Sequence, residues 1–200
     1  MKRMVYINNY KAPQIDKNEV LRYAKAGQDE STLRMLDECI AASCDVLCYK
    51  VCYARFPIEI NGEELDLGFT KVRSHSLSRC LDGCSEIILF AATVGAQFDR
   101  LISKYNVISP ARAILLQALG SERVEALCDE FCGEMSEIEA EKGNSLRPRF
   151  SPGYGDLPID IQKEVFVALD CAKNIGISLG ESLFMTPTKS VTAIIGIQNK

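Results

Sequence analysis

The sequence predicts an α+β protein in which a mixed or antiparallel sheet is flanked by several long helices. Helical periodicity is clearest in one long segment, from Ser109 to Gly143, and recurs in shorter ones. Strand-like segments, such as the apolar run Ile87 to Ala92, lie between the helices. Because strands and helices do not alternate regularly, the order disfavours a doubly wound parallel sheet.

The first quarter of the chain mixes strand and helix signals. Met4 to Asn8 indicates a short strand, and the segment Asp16 to Gly27 a helix with an aspartate cap and a terminal glycine. A second helix begins near Asp29. Apolar residues spaced three and four apart from Leu33 to Val51, including Cys44, predict that this helix runs to about Val51.

The second quarter predicts a hairpin, a short helix and a buried strand. Asn61-Gly62 is a hairpin-turn signal between the extended segments Tyr53 to Ile60 and Leu65 to Leu67. Ser76 to Leu81 is typical of a short helix. The uninterrupted apolar run Ile87 to Ala92 predicts a strand buried on both faces.

The second half begins with the clearest helix. Serine caps and proline fits the first turn at Ser109-Pro110, and Gly143 ends the helix. A connection rich in proline and glycine (144–155) precedes a helix from Ile159 to Ala172, and Leu183 to Ile197 indicates strands. The inner face of the long helix is predicted to comprise Val124, Leu127, Cys128, Phe131, Met135 and Ile138.

Composition and charge disfavour several classes of protein. The chain has 200 residues, 47% of them hydrophobic, and a net charge of -4. No basic stripe is interleaved with aromatics, so nucleic-acid binding is not expected. No apolar run approaches the ~18 residues of a membrane helix, and the first residues lack the apolar core of a signal peptide. We therefore expect a cytoplasmic protein with no membrane partner.

Nine cysteines need an explanation. An odd number without a secretion signal disfavours a disulfide framework. Spacings of four, as in Cys44-Cys48-Cys52, Cys80-Cys84 and Cys128-Cys132, differ from the Cys-x-x-Cys of common zinc and iron–sulfur sites. The pattern favours buried thiols over metal ligands, and a cysteine-based metal or redox protein remains an alternative.

The segment that begins at Arg149 carries the clearest chemical signal. Pro152 has no amide hydrogen, and Gly153 and Gly155 have no side chains, so a flat ligand can approach the backbone. Tyr154 offers an aromatic face, and Arg149 a forked charge that suits a carboxylate. A ligand with a planar base, a carboxylate and a cationic centre, such as S-adenosylmethionine, fits this set. A tight turn whose tyrosine packs into the core has the same composition, so the residues alone leave both open.

An ordered series of short motifs adds a resemblance to these observations. Arg-x-x-Pro-Gly-Tyr from Arg149 is followed by Glu181-Ser182, Met185-x-Pro187 and Ser190-Val191-Thr192. The series resembles the activation domain of cobalamin-dependent methionine synthases, and more closely the free-standing proteins related to that domain. The resemblance implies one such domain over 1–200, which allows an N-terminal lobe of about 1–85 and a ligand-binding part of about 86–200.

The resemblance implies an accessory function rather than independent catalysis. In that family the domain binds S-adenosylmethionine and supports reductive methylation, and so reactivation, of an oxidised cobalamin in methionine synthesis. The cobalamin is held by a partner, here a methionine synthase core or another corrinoid protein. Flavodoxin or another donor supplies the electron. We therefore expect no catalytic residue in this chain and no cobalamin bound by it alone.

The resemblance also implies roles for the residues of the glycine-rich loop. Arg149 is expected to bind the methionine carboxylate. The backbone of Ser151, Pro152 and Gly153 is expected to receive the adenine and neighbouring groups, and Tyr154 to line the pocket.

Two further positions follow from the resemblance. Glu122, on the preceding helix, is expected to meet the amino group, with Glu125 as the substitute. The synthase domain has an aromatic where this chain has Ile195, and this chain lacks the longer synthase tail. These departures keep open an alternative, in which the chain is a corrinoid-protein interaction module that has lost its ligand.

Overall fold

A computed structural model describes residues 4–199 and contains ten strands and seven helices within that range. In chain order the strands are β1 (Tyr6–Tyr10), β2 (Tyr49–Pro57), β3 (Glu59–Asn61), β4 (Glu64–Asp66), β5 (Lys71–Arg73), β6 (Cys84–Thr93), β7 (Asn144–Leu146), β8 (Ser178–Leu179), β9 (Met185–Thr186) and β10 (Ser190–Asn199). The helices are α1 (Lys17–Ala24), α2 (Glu30–Ser43), α3 (His75–Cys80), α4 (Ala96–Ile108), α5 (Pro110–Glu141), α6 (Gln162–Leu169) and α7 (Cys171–Ile175).

The α+β prediction is confirmed, and the sheets are antiparallel. The main sheet has five strands in the order β1-β2-β6-β10-β7. Two small sheets, β3-β4-β5 and β8-β9, lie apart from it. The Asn61-Gly62 hairpin is confirmed, because it joins β3 to β4.

The central strand β6 is buried on both faces, which explains its uninterrupted apolar sequence. Ile88 and Phe90 belong to a core cluster that includes residues of α1, α2, α4 and α5. Ile87 and Leu89 belong to a second cluster on the other face, which includes residues of α3, α6 and α7. The sheet is therefore the middle layer of three.

The long helix α5 is confirmed from the first residue to the last turn. It begins at Pro110 and ends at Glu141, but the predicted capping by serine is wrong, because the Ser109 side chain makes no hydrogen bond to the first turn. The predicted inner face is correct for five residues, from Val124 to Met135, which are all buried. It is wrong for Ile138, which is 37% exposed, because in the last turns the buried face passes through Glu139, which is 2% exposed.

Two helix predictions were wrong in extent. The second helix ends at Ser43, and Cys44 is exposed rather than on a buried face. The apolar residues beyond it belong to a turn and to β2, where Val51 is fully buried. The predicted helix from Ile159 to Ala172 is a turn of 3-10 helix followed by α6 and α7. These two helices are separated at Asp170, whose φ of 47° breaks the helical path.

Both halves of the chain contribute to the main sheet. Strands β1 and β2 come from the first half and pair with β6, which pairs on its other side with β10. The division near residue 85 therefore stays a prediction, and it falls within a continuous sheet. No helix in the described range 4–199 is long and apolar enough to cross a membrane.

Candidate functional site

The loop after Arg149 is attached to the main sheet at one residue. Phe150 donates its amide hydrogen to the Ile194 carbonyl at 2.8 Å and accepts from the Ile194 amide at 2.9 Å. This bridge fixes Arg149 and Ser151 on either side of Phe150, next to β10. The turn then closes on itself through bonds from Tyr154 N to Ser151 O (3.2 Å) and from Gly153 N to Leu157 O (3.0 Å).

The far end of the loop is attached to α3. The Asp156 carboxylate accepts hydrogen bonds from the Ser74 hydroxyl and from the amides of His75 and Ser76, at 2.7 to 3.0 Å. These bonds, the one from Ser74 most of all, hold the pKa of Asp156 below its usual range. A side chain at Gly155 would come within 2.8 Å of the Ser76 Oγ, so this close approach requires glycine.

A cleft of about 430 Å³ lies between this loop, α5, the start of α6 and β10. It brings together four of the predicted loop residues, Arg149, Ser151, Pro152 and Tyr154. Gly153 lies in the same loop, where its φ of +88° favours glycine, but it is not one of the lining residues. The volume is within the range of about 300–1,000 Å³ that is typical of ligand pockets.

The exposure of Tyr154 distinguishes the two interpretations of the loop, which are a ligand-binding segment and a tight turn whose tyrosine packs into the core. Its side chain is 69% exposed, so it does not pack into the core. The turn is instead closed by backbone hydrogen bonds and by burial of Pro152 and Leu157. Tyr154 is therefore available at the mouth of the cleft.

Arg149 is held by two carboxylates of α5. Its Nη1 donates to Asp129 Oδ1 at 2.5 Å, and its Nη2 donates to Glu125 Oε2 at 2.6 Å. Burial tends to lower the pKa of Arg149, but the hydrogen bond to Asp129 and the nearby negative charges hold it above its ordinary value. The guanidinium is therefore a fixed positive charge beside two negative ones.

The structure does not place Glu122 in the cleft. Its side chain is 5% exposed and pairs with the fully buried Arg123. Its Oε1 also accepts from the Asp16 amide at 3.0 Å, at the start of α1. Arg123 in turn donates to the carbonyls of Pro13 and Gln14, so this pair attaches the segment before α1 to α5. The neighbouring acid that does line the cleft is Glu125.

An acidic groove adjoins the cleft along α5 and α1. It has a volume of about 1150 Å³ and shares Glu125 and Arg149 with the cleft. A groove lined mainly by carboxylates has a negative potential, which attracts cations. Its acidic lining residues are Asp16, Glu19, Glu122, Glu125, Asp129, Glu130, Glu134 and Glu137.

Two buried residues of the cleft were not predicted from the sequence. Gln162, in the first turn of α6, is 5% exposed, and Thr192, in β10, is 2% exposed. Gln162 Oε1 and Thr192 Oγ1 find no hydrogen-bond partner within residues 4–199. The Ser190-Val191-Thr192 motif could have identified Thr192, since all three residues line the cleft. No sequence signal marked Gln162.

Ile195 and the cysteines lie outside this cleft. Ile195 is 1% exposed in the core cluster on the α5 face of the sheet, so it is not a wall of the cleft. Cys128 is fully buried in that cluster, as predicted, and three further cysteines are buried, but the prediction of buried thiols is wrong for the exposed Cys44 and Cys48 and only partly right for Cys80, Cys84 and Cys132, which are half-buried. Across the described residues, no group of three or more histidine, cysteine or acidic side chains is arranged to hold a metal ion.

A family model matches the sequence of this chain, and a solved structure matches its fold. The family model for the vitamin B12-dependent methionine synthase activation domain matches residues 81–200, which is more than half of the chain. A crystal structure of the MetH reactivation domain bound to AdoHcy matches the fold with a TM-score of 0.68. That match covers 98% of this chain and 78% of the other, and at 15% identity it shows the fold alone. No curated protein sequence matches the chain.

Proposed function

Because the chain belongs to the family of the vitamin B12-dependent methionine synthase activation domain, we propose that it binds S-adenosylmethionine in the cleft beside Arg149. It would thereby support reactivation of a cobalamin held by a partner protein. When bound, S-adenosylmethionine would supply the methyl group for the reduced cobalamin of the partner, and S-adenosylhomocysteine would be released. The residues of this chain bind and orient the methyl donor.

The observation that carries the proposal is the ion pair between Arg149 and Glu125 at the cleft wall. The amino-acid end of S-adenosylmethionine carries a carboxylate and an ammonium group. A forked guanidinium suits the carboxylate, and a neighbouring glutamate suits the ammonium. We propose that Arg149 takes the first role and Glu125 the second. On binding, Arg149 would exchange at least one of its bonds to Asp129 and Glu125 for the carboxylate of the ligand. Assignment of the ammonium to Glu122 would require Glu122 to exchange its bonds to the buried Arg123 and to the Asp16 amide.

The charge around the cleft also suits this ligand. S-adenosylmethionine carries a sulfonium in addition to its zwitterionic end, so its net charge is positive. The acidic groove that shares Glu125 and Arg149 with the cleft favours a cation. Ser151 and Pro152 line the cleft, where a flat base could lie against them, and Tyr154 offers an aromatic face to the ligand.

Calorimetric titration with S-adenosylmethionine tests the proposal. The unmodified chain should bind, and Arg149→Ala should weaken binding by about 1.5–3 kcal/mol, because a hydrogen-bonded charged partner of the carboxylate is lost. Arg100→Ala is the matched control, since Arg100 is exposed on α4 and bonds to Gln97. Thermal melts of all three proteins check that each is folded.

Two results would contradict the proposal. One is the absence of both heat and a thermal shift with millimolar S-adenosylmethionine. The other is a folded Arg149→Ala variant that binds as tightly as the unmodified chain. Capture of a corrinoid protein by a chain without affinity for S-adenosylmethionine would instead support the interaction-module alternative.

A further inference from the structure

A groove of about 600 Å³ lies along the first half of α5 and is called the Lys189 groove below. Its volume is within the range of about 300–1,000 Å³ that is typical of ligand pockets. Pro110 and Ser121 line its two ends on α5, and at about 1.5 Å per residue they are about 16 Å apart. The lining residues of the helix follow one face, at spacings of three and four: Pro110, Ala113, Ile114, Gln117, Ala118 and Ser121.

Lys189 brings a half-buried positive charge to one end of this groove. Its stem lies against α5 at Gly120, where an added side chain would come within 2.9 Å of Lys189 Cγ. Its Nζ donates a hydrogen bond to Ser121 Oγ at 3.0 Å, and the Ser121 hydroxyl donates in turn to the Gln117 carbonyl at 3.1 Å. Within residues 4–199 this Nζ makes no other hydrogen bond, so two of its three hydrogens remain for a ligand.

The acids near Lys189 are bonded to other groups. Burial lowers the pKa of Lys189, and the charge of Asp99 only partly opposes this effect. Both carboxylate oxygens of Asp99 accept hydrogen bonds from Thr188, one from its amide at 2.7 Å and one from its hydroxyl at 2.8 Å. Glu125, an acid in the lining of the groove, bonds to Arg149. An anion in the groove would therefore stabilise an ammonium group that has only a neutral partner in the described part of the chain.

The floor of the groove is apolar. Ala113 and Ala118 are buried, and Ile114 lines the groove beside them although it is 56% exposed. The three residues lie inside α5, where backbone amides and carbonyls are bonded within the helix. A peptide would find no backbone partners along this floor. An aliphatic chain has no polar groups to satisfy and would bury its apolar surface here.

We propose that the Lys189 groove binds a free aliphatic carboxylate, with the carboxylate at Lys189 and the chain along Ala113, Ile114 and Ala118. A monoanion suits the site better than a phosphate, because Glu125 already brings a negative charge to the lining. Eight carbons in an extended chain are shorter than the groove, so octanoate is a suitable probe. This site is separate from the cleft beside Arg149, and the inference does not depend on the proposed function.

Calorimetry with octanoate and octanamide tests the role of the charge. The two compounds share the same chain, and only octanoate is charged at neutral pH. We expect the unmodified chain to bind octanoate about tenfold more tightly, because a charged hydrogen-bond partner of Lys189 is present. Lys189→Gln should remove this difference by weakening the binding of octanoate. Lys104→Gln is the matched control and should keep the difference, since Lys104 is exposed on α4 outside the groove.

A second pair of variants tests the apolar part of the site. Ile114→Asn should weaken the binding of both compounds about fivefold, because the chain loses apolar surface to lie against. Val107→Asn is the control and should leave both affinities unchanged, since Val107 is 87% exposed and does not line the groove. If Lys189→Gln fails to fold, these exposed positions and the two-compound comparison in the unmodified chain still decide the question.

Several results would overturn the inference. They are the binding of neither compound, equal affinities for both in the unmodified chain, and an affinity for octanoate that a folded Lys189→Gln variant retains. Acetyl-leucyl-leucine carries a similar apolar surface and a peptide C-terminal carboxylate. If it bound more tightly than octanoate and lost its affinity in Lys189→Gln, a peptide terminus would replace the free acid as the ligand. Titration with S-adenosylmethionine should be unaffected by Lys189→Gln, so the proposed function is tested separately.

Discussion

Glu122 and Glu125 lie three residues apart on α5, yet their surroundings differ. The Glu122 side chain is 5% exposed and bonded to Arg123, whereas that of Glu125 is 42% exposed and bonded to Arg149. The sequence presents both as acids near the same motif. The orientation of α5 in the fold decides their roles. Glu122 faces Arg123 and the start of α1 and supports the fold, whereas Glu125 faces the cleft.

Paired substitutions test this difference. Glu122→Gln should lower the free energy of unfolding by about 3 kcal/mol or more, because it leaves the buried Arg123 without its counter-charge. It should leave the affinity for S-adenosylmethionine unchanged. Glu125→Gln should alter stability little, since its ion pair is partly exposed, and should weaken binding about tenfold. Urea denaturation and calorimetry measure the two quantities.

Each variant serves as the control for the other. A folded Glu122→Gln protein that binds tenfold more weakly, beside a Glu125→Gln protein that binds normally, would restore the first assignment of the ammonium group to Glu122.

At the scale of elements, α5 contains two glycines with opposite surroundings. A side chain at Gly120 would come within 2.4 Å of Phe98 and 2.9 Å of Lys189, so the absence of a side chain lets α4 and the segment before β10 approach the helix. Gly133, in the same helix, has nothing within 4 Å of that position. The first glycine is therefore required by packing, and the second is not.

Alanine substitutions should consequently have opposite effects. Gly120→Ala should destabilise the protein by about 1–3 kcal/mol through overpacking. Gly133→Ala should stabilise it by about 0.5–1 kcal/mol, because alanine loses less backbone entropy in a helix. Urea denaturation followed by circular dichroism compares them. A Gly120→Ala protein as stable as Gly133→Ala would show that the close approach of Phe98 is not a constraint.

The elements that the sequence predicted well are those with local signals. Ser109-Pro110 and Gly143 mark the ends of α5, Asp16 caps α1, and Asn61-Gly62 turns the β3–β4 hairpin. The predicted second helix was too long because the apolar residues of the partly buried turn and of β2 happen to continue the helical spacing. Val51 is apolar because it is buried in the core as part of β2, and not because it belongs to the inner face of a helix.

The sequence predicted the part of the site whose residues follow one another in the chain. The loop from Arg149 to Gly155 combines proline, glycine, tyrosine and arginine, so composition and motif both identify it. Gln162 reaches the cleft because a 3-10 turn after the loop leads into α6 at that point. No local pattern encodes such a position. The same is true of the pairing of Arg149 with two acids that are 20 and 24 residues away in the sequence but in direct contact with it in the fold.

At the scale of the whole molecule, the cleft exists only where separate elements meet. The long helix supplies Glu125, the loop supplies Arg149 and Tyr154, and α6 and β10 supply Gln162 and Thr192. Strand β10 also pairs with β6 and β7, so the ligand would contact the sheet that holds both core layers. A ligand that binds only this assembled state stabilises it, by about 2.7 kcal/mol at a hundred times its Kd.

A crystal structure grown with S-adenosylhomocysteine tests the central claim most directly. We predict that the ligand lies in the cleft, with its carboxylate at Arg149, its ammonium at Glu125 and its adenine against the loop at Ser151 and Pro152. A ligand at saturating concentration that binds elsewhere on the protein, or leaves this cleft empty, would contradict the account.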